Sequence, residues 1–187
     1  MADNALTVVW DSEAAETKSD DETWDEYRTH AGISLAGVYV VERAEYEFYD
    51  EHGLEALATR LENAATVVSY NGVHYDHVVL DAALGRHVHI PGELDLWDVI
   101  KTAQTHSWPK GSWTLGAVCE RTFGEGKHGD GALAPSLAAA GKWGSLATYL
   151  VRDVFLTWRL WEFMKNYGFV IDPDGMKMVV GVKNEQT

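Results

Sequence analysis

The stretch Leu-Thr-Val-Val-Trp-Asp-Ser-Glu, Leu6 to Glu13, decides the fold because it predicts a buried strand that ends in two carboxylates. Thr7 to Trp10 is β-favouring and apolar on both faces, which is typical of a central strand covered on both sides. Asp11 and Glu13 stand two residues apart, so an extended chain places both side chains on one face. Paired carboxylates favour a hard divalent cation, but an isolated pair is also typical of an acidic, solvated turn.

Length and composition indicate a folded protein, which we expect to form a single domain over residues 1–187. Eight Trp and eight Tyr exclude a disordered chain. A single cysteine, Cys119, excludes an intramolecular disulfide and a cysteine-rich zinc site. The sequence has no apolar run of about 20 residues and no secretory signal, so we expect a cytoplasmic protein with no membrane partner.

The net charge of -14 argues against a nucleic-acid partner, because phosphate binding depends on Lys and Arg. The charges are unevenly distributed, however. Residues 1–100 carry five basic and 21 acidic side chains, whereas residues 101–152 carry six basic and three acidic ones. One segment is therefore locally positive, although an acidic surface with a chance basic stretch is an equally open interpretation.

Hydrophobic periodicity predicts strands and helices that alternate in the middle of the chain. Strands are predicted at residues 6–13, 33–41, 46–49 and 66–70, and helices at 52–63, 74–84, 94–103, 113–123 and 143–167. Residues 14–26 predict a surface loop or short helix, 124–135 a glycine-rich loop, and 169–182 a C-terminal hairpin. We therefore expect an α/β protein with a mixed sheet flanked by helices.

Three further residues are placed to join the acid pair Asp11 and Glu13. Asp76 follows the fourth predicted strand, where the carboxyl ends of strands open onto a crevice. Tyr149 and Asp153 are four residues apart on the longest predicted helix and so share a face. Four carboxylates in one pocket would repel each other, whereas two divalent ions about 3.5 to 4 Å apart would form a clamp for phosphodiester hydrolysis.

The order and spacing of these residues resemble the DEDD 3′–5′ exonuclease superfamily of ribonuclease H-like fold, to which polymerase proofreading domains belong. The matching motifs are Asp11-Ser12-Glu13, Asn71 to Tyr75-Asp76, and Tyr149-Leu150-Val151-Arg152-Asp153. Thr148 stands where a sister group has histidine, so the tyrosine-type, DnaQ-like group is implied. The stretches at residues 68–76, 94–98, 122–131 and 149–157 are similar to the YprB-like branch of predicted exonucleases.

The resemblance implies a 3′–5′ exonuclease that uses two Mg²⁺ or Mn²⁺ ions and has the catalytic residues Asp11, Glu13, Asp76, Tyr149 and Asp153. Asp11 would bridge both ions, Glu13 and Asp153 would complete the site of the water-activating ion, and Asp76 would hold the second ion. Tyr149 would orient the attacking water. An unperturbed phenol, with a pKa of about 10, is a poor base, so deprotonation would fall to the metal.

The predicted substrate is DNA or RNA with a free 3′ end, contacted by Asn71 and Lys127. Asn71 is equally typical of a turn at a strand end, and Lys127 is equally typical of a solvated lysine in a glycine-rich loop. A ribonuclease or structure-selective endonuclease on the same site is an alternative. A nucleic-acid-processing partner of a helicase or polymerase, with little turnover, is another.

Two smaller groups of residues have simpler interpretations. Asp95 and Asp98 are interpreted as a helix cap and a surface acid, in preference to a supporting role at the metal site. His87 and His89 have the spacing of a metal pair on a strand. They lack a third partner nearby in sequence, so we interpret them as surface histidines.

Overall fold

A five-stranded mixed sheet forms the centre of the protein, whose computed structural model describes residues 6–126 and 133–181. Its strands are β1 (Thr7–Ala14), β2 (Ile33–Val40), β3 (Glu45–Asp50), β4 (Thr66–Ser69) and β5 (Glu93–Asp95). They lie in the order β3-β2-β1-β4-β5. Strand β2 runs antiparallel to its neighbours β1 and β3, whereas β4 and β5 run parallel to β1. The predicted α/β class and mixed sheet are therefore confirmed.

Seven α-helices, a 3₁₀ helix at Val41–Arg43 and a small second sheet complete the described part of the chain. The helices are α1 (Trp24–Arg28), α2 (Leu54–Glu62), α3 (Asp76–Leu84), α4 (Leu96–Ala103), α5 (Leu115–Phe123), α6 (Ala134–Ala139) and α7 (Trp143–Tyr167). Strands β6 (Phe169–Ile171) and β7 (Lys177–Val179) pair antiparallel, so the predicted C-terminal hairpin is present. Among the described residues, no helix is long and apolar enough to cross a membrane.

Strand β1 is buried on both faces, as its composition predicts. Val8 and Trp10 pack in one hydrophobic cluster with α2 and α3, whereas Val9 packs in a second cluster with α4, α5 and α7. Because side chains alternate along a strand, Asp11 and Glu13 share the α7 face with Val9, and Ser12 lies on the α3 face. The end of β1 can therefore supply side chains to two separate layers of the protein.

Several predicted boundaries are wrong for identifiable reasons. Strand β1 ends at Ala14, one residue beyond the predicted end, because pairing with β2 continues to Ala14 opposite Ile33. Residues 94–95 belong to β5 and not to a helix, because they pair with β4. With three residues, β5 is too short to show a hydrophobic periodicity in the sequence. The remaining changes concern helix starts. Helix α6 begins inside the predicted loop at 124–135, and α2, α3, α4 and α5 each begin two residues later than predicted.

Candidate active site

Three predicted site residues come together where the end of β1 faces α7. Asp11, Glu13 and Asp153 each offer a carboxylate oxygen, and these oxygens lie within 4.8 Å of one another. Glu13 is only 6% exposed and Asp153 only 2%, while Asp11 is partly exposed. Burial of like charges at this spacing is costly unless a cation or a proton compensates. A set of three carboxylates suits hard ions such as Mg²⁺ and Mn²⁺, which prefer oxygen ligands.

The approach of α7 to the sheet depends on a glycine in β2. Gly37 is the residue opposite Asp11, and a Cβ atom there would lie 3.0 Å from Cγ and 3.1 Å from Cδ2 of Leu150. Leu150 is fully buried and precedes Asp153 by three residues on α7. The missing side chain at Gly37 therefore lets α7 lie close to β1, which places Asp153 beside Asp11.

Tyr149 lies one helical turn before Asp153 on α7 and on the same side of the helix. It is partly exposed, whereas Asp153 is buried. This position follows from the i,i+4 spacing that the sequence predicts. The phenol is thus carried by the same rigid helix that carries one of the three clustered acids.

Asp76 is held differently from the other predicted acids and does not belong to the group of three. It begins α3 and is only 5% exposed. The Ser12 backbone N–H donates to Asp76 Oδ1 at 3.0 Å, and the Ser12 hydroxyl donates to the same oxygen at 2.5 Å. Regular pairing of β1 with β4 ends at Val9, so Asp76 accepts a backbone N–H that lies beyond this pairing.

Burial raises the pKa of Asp76 to about 7, and the negative charge of Asp95 acts in the same direction. The hydrogen bonds from Ser12 oppose this shift, because they favour the charged carboxylate. A divalent ion bound nearby would also favour the charged form and lower the pKa of Asp76.

Asp95 has a larger structural role than the sequence indicates. It caps α4 by accepting the Trp97 N–H at 2.8 Å, which confirms the predicted helix cap. It also accepts the backbone N–H groups of Asn71 at 2.8 Å and Val73 at 3.0 Å. Asn71 has a φ of 65°, so this carboxylate stabilises a left-handed turn just before Asp76. The sequence contains no signal for these contacts, because they cross 22 and 24 residues.

A cleft of about 850 Å³ opens beside Glu13 and includes Asn71 in its wall. Helix α1 contributes Trp24 and Arg28 to the wall of the same cleft. The Arg28 guanidinium donates to the carbonyl of His74, which fixes α1 against the loop before α3. The acid-rich segment after β1 therefore forms part of a cleft wall. The other predicted substrate residue, Lys127, lies outside the described residues.

Two solved structures share the fold over 86% of the chain. One is the family B DNA polymerase from the hyperthermophilic archaeon Pyrobaculum calidifontis, with a TM-score of 0.64 and 15% identity over 24% of that chain. The other is E. coli exonuclease I in complex with a dT13 oligonucleotide, with a TM-score of 0.58 and 11% identity over 41% of that chain.

The chain thus spans well under two thirds of either protein. Comparison of the sequence with models of protein families and with curated proteins finds no match. At these identities the two structures establish the fold alone. Together with the mixed sheet and its flanking helices, they show that the chain has the ribonuclease H-like fold.

Proposed function

We propose that this protein is a metal-dependent 3′–5′ exonuclease of the DEDD type. The observation that carries the proposal is the group Asp11, Glu13 and Asp153, three carboxylates brought within 4.8 Å by a strand end and a helix. The same fold occurs in E. coli exonuclease I, whose structure includes a dT13 oligonucleotide. The cleft beside Glu13 supports the proposal, since it offers space for a nucleotide next to the acids.

The proposed site holds Mg²⁺ or Mn²⁺, which fits its all-carboxylate ligands. Asp11, Glu13 and Asp153 would hold one ion, and Asp76 would complete the site of a second that Asp11 shares. Bound there, the ions would supply an activated water and would stabilise charge on the attacking and leaving oxygens. Tyr149 would donate or accept a hydrogen bond that orients the water.

The side chains of the cleft would position the substrate strand. Trp24 is well exposed and makes edge-to-face contacts with Tyr27 and Tyr75, so its indole is held in place at the cleft. Asn71 lines the same cleft as Glu13 and offers an amide there. An aromatic surface and an amide beside the acids suit a terminal nucleotide, which needs both stacking and hydrogen bonding.

The test is cleavage of 5′-labelled single-stranded DNA, duplex DNA and RNA in Mg²⁺ or Mn²⁺. We expect products that shorten from the 3′ end, and we expect none in EDTA or with Asp153→Asn. The matched control is Asp174→Asn, an exposed acid in the β6–β7 turn, which should retain full activity.

Activity that survives both EDTA and Asp153→Asn would refute the metal site. Cleavage of circular single-stranded DNA, which has no end, would refute the exonuclease and support an endonuclease on the same site. Manganese binding without cleavage of any substrate would instead support an accessory role in nucleic-acid processing.

A further inference from the structure

A second cluster of metal-ligating side chains lies where the segment after α3 returns toward β5. Its members are His77 and Asp81 on α3, and His87 in the segment that follows the helix. Each offers one ligand atom, and these atoms lie within 4.8 Å of one another. Asp81 follows His77 by four residues, so both lie on the same face of α3. The third partner that His87 lacks nearby in sequence is therefore supplied by the helix.

The two ring nitrogens of His77 have different surroundings. Nδ1 lies 3.1 Å from both carboxylate oxygens of Glu93, at the start of β5. Nε2 donates a hydrogen bond to the Val88 carbonyl at 2.7 Å and lies 3.5 Å from Asp81 Oδ1, so an ion bound at Nε2 would replace this proton. A carboxylate on one nitrogen fixes the ring and its tautomer and makes the other nitrogen a better ligand. Glu93 therefore holds the His77 ring in an orientation in which Nε2 lies on the side of Asp81.

His87 completes the arrangement from the solvent side. Its Nδ1 lies 2.7 Å from Asp81 Oδ2, and its ring is nearly parallel to that of His77, at 12° and 5.5 Å between centroids. The side chain of His87 is 71% exposed, whereas that of His77 is 11% exposed. An ion can thus enter from solvent and reach a nitrogen whose ring is already held inside the protein.

We propose that His77, Asp81 and His87 bind a borderline divalent ion of the Zn²⁺ type, with Glu93 as the residue that orients His77. Two imidazoles and one carboxylate are a frequent ligand set for zinc, and they leave a fourth position for solvent or for the Val88 carbonyl. Imidazole ligands select Zn²⁺ over Mg²⁺, which prefers oxygen. The ligand chemistry of this cluster therefore differs from that of the three acids at the end of β1.

The site would stabilise the connection between α3 and β5. Asp81 Oδ1 already accepts the Val88 N–H at 2.8 Å, so an ion on Asp81 would reinforce an existing link. Helix α3 begins with Asp76, and β5 ends with Asp95. A bound ion would thus strengthen the segment between two carboxylates that border the proposed active site, without contacting the substrate.

The test is calorimetric titration of Zn²⁺ into three full-length proteins that all carry Asp153→Asn, which removes a ligand from the acid cluster. The first has no other change, the second adds His87→Ala, and the third adds His89→Ala as a matched control. His89 is exposed and lies two residues beyond His87. Both substitutions are at surface positions, so each protein should fold.

We expect one Zn²⁺ to bind the first and third proteins with the same Kd and the second with a Kd at least about tenfold higher. Mg²⁺ at the same concentrations should give no heat from this site. Equal Zn²⁺ affinity in all three proteins, or no Zn²⁺ binding in the first, would overturn the proposal and leave a hydrogen-bonded cluster. This result does not depend on nuclease activity, so it is separate from the test of the proposed function.

Glu93→Gln, in the Asp153→Asn protein, tests the orienting role. The amide matches the carboxylate in shape but not in charge. We expect Zn²⁺ affinity to fall by about 10- to 100-fold, while the stoichiometry stays at one ion per chain. An unchanged affinity would remove Glu93 from the proposal.

Discussion

Gly37→Ala should disturb both stability and metal binding, because it acts on the contact between β2 and α7. A Cβ atom at this position would lie 3.0 Å from Leu150 Cγ, 3.1 Å from Leu150 Cδ2 and 3.6 Å from Val154 Cγ2. Favourable carbon contacts are about 3.5 to 4.0 Å, so the first two fall short of the lower limit by roughly 0.4 to 0.5 Å. Either Leu150 leaves its rotamer or α7 moves away from the sheet. Overpacking of this kind costs about 1 to 3 kcal/mol of unfolding free energy.

The effect on the site follows from the direction of this movement. Asp153 is on the same helix, three residues after Leu150, and faces Asp11 on β1. A shift of α7 would lengthen the distance between these carboxylates, so Mn²⁺ affinity should fall together with stability. Urea denaturation measures the first quantity and Mn²⁺ calorimetry the second.

Gly144→Ala is the control for this prediction, because it makes the same substitution near the start of α7 where a Cβ atom would meet nothing within 4 Å. It should stabilise the protein by about 0.5 to 1 kcal/mol, since alanine favours the helix. Unchanged stability and unchanged Mn²⁺ affinity in Gly37→Ala would refute the reasoning. Loss of stability with unchanged Mn²⁺ affinity would show that Leu150 adjusts and α7 does not.

Four further predictions concern ions, contacts and pH. Mn²⁺ at 100 times its Kd should stabilise the protein by about 2.7 kcal/mol, and thermal melting should show no such shift in Asp153→Asn. Asp76→Asn should reduce the Mn²⁺ stoichiometry from two ions to one in calorimetry, because Asp76 lies outside the group of three acids. Asp95→Ala leaves three backbone N–H groups without their acceptor and should cost about 2 to 4 kcal/mol in urea denaturation. Glu93 raises the pKa of His77, so in EDTA this pair should stabilise the protein fully below about pH 6.5. The stabilisation should be lost as the pH rises through the raised pKa. His77→Gln should flatten the dependence of the unfolding free energy on pH.

The sequence predicts best where one element carries the whole signal. Helix α7 spans Trp143–Tyr167, the residues that its apolar period predicts, and it ends at Gly168, whose φ is 70°. Strand β1 is buried on both faces, as its run of apolar residues indicates. Asp11 and Glu13 lie on β1 and Asp153 on α7, so the three acids that come together belong to the two elements with the strongest sequence signals.

Prediction fails where a side chain depends on the end of another element. The contact between Asp76 and Ser12 requires that pairing with β4 stop at Val9, and no local pattern fixes that point. The zinc-type cluster requires His77 to meet His87 across the turn after α3. The first contact crosses 64 residues, and the second joins a helix to the irregular segment that follows it. In both cases the residues involved are common in surface loops.

Because side chains alternate along β1, the contacts that hold Asp76 are independent of the group Asp11, Glu13 and Asp153. Asp11 and Glu13 face α7, whereas Ser12 between them binds Asp76 on the α3 side. Gly72 secures the turn before α3, because a Cβ atom there would lie 2.6 Å from Ser69 Cβ. One face of this strand end therefore carries Asp11 and Glu13, and the opposite face holds Asp76 through Ser12. One ion can be held by the three acids alone. Binding of a second ion depends on whether the Asp76 carboxylate can bind metal while Oδ1 accepts the hydrogen bonds from Ser12.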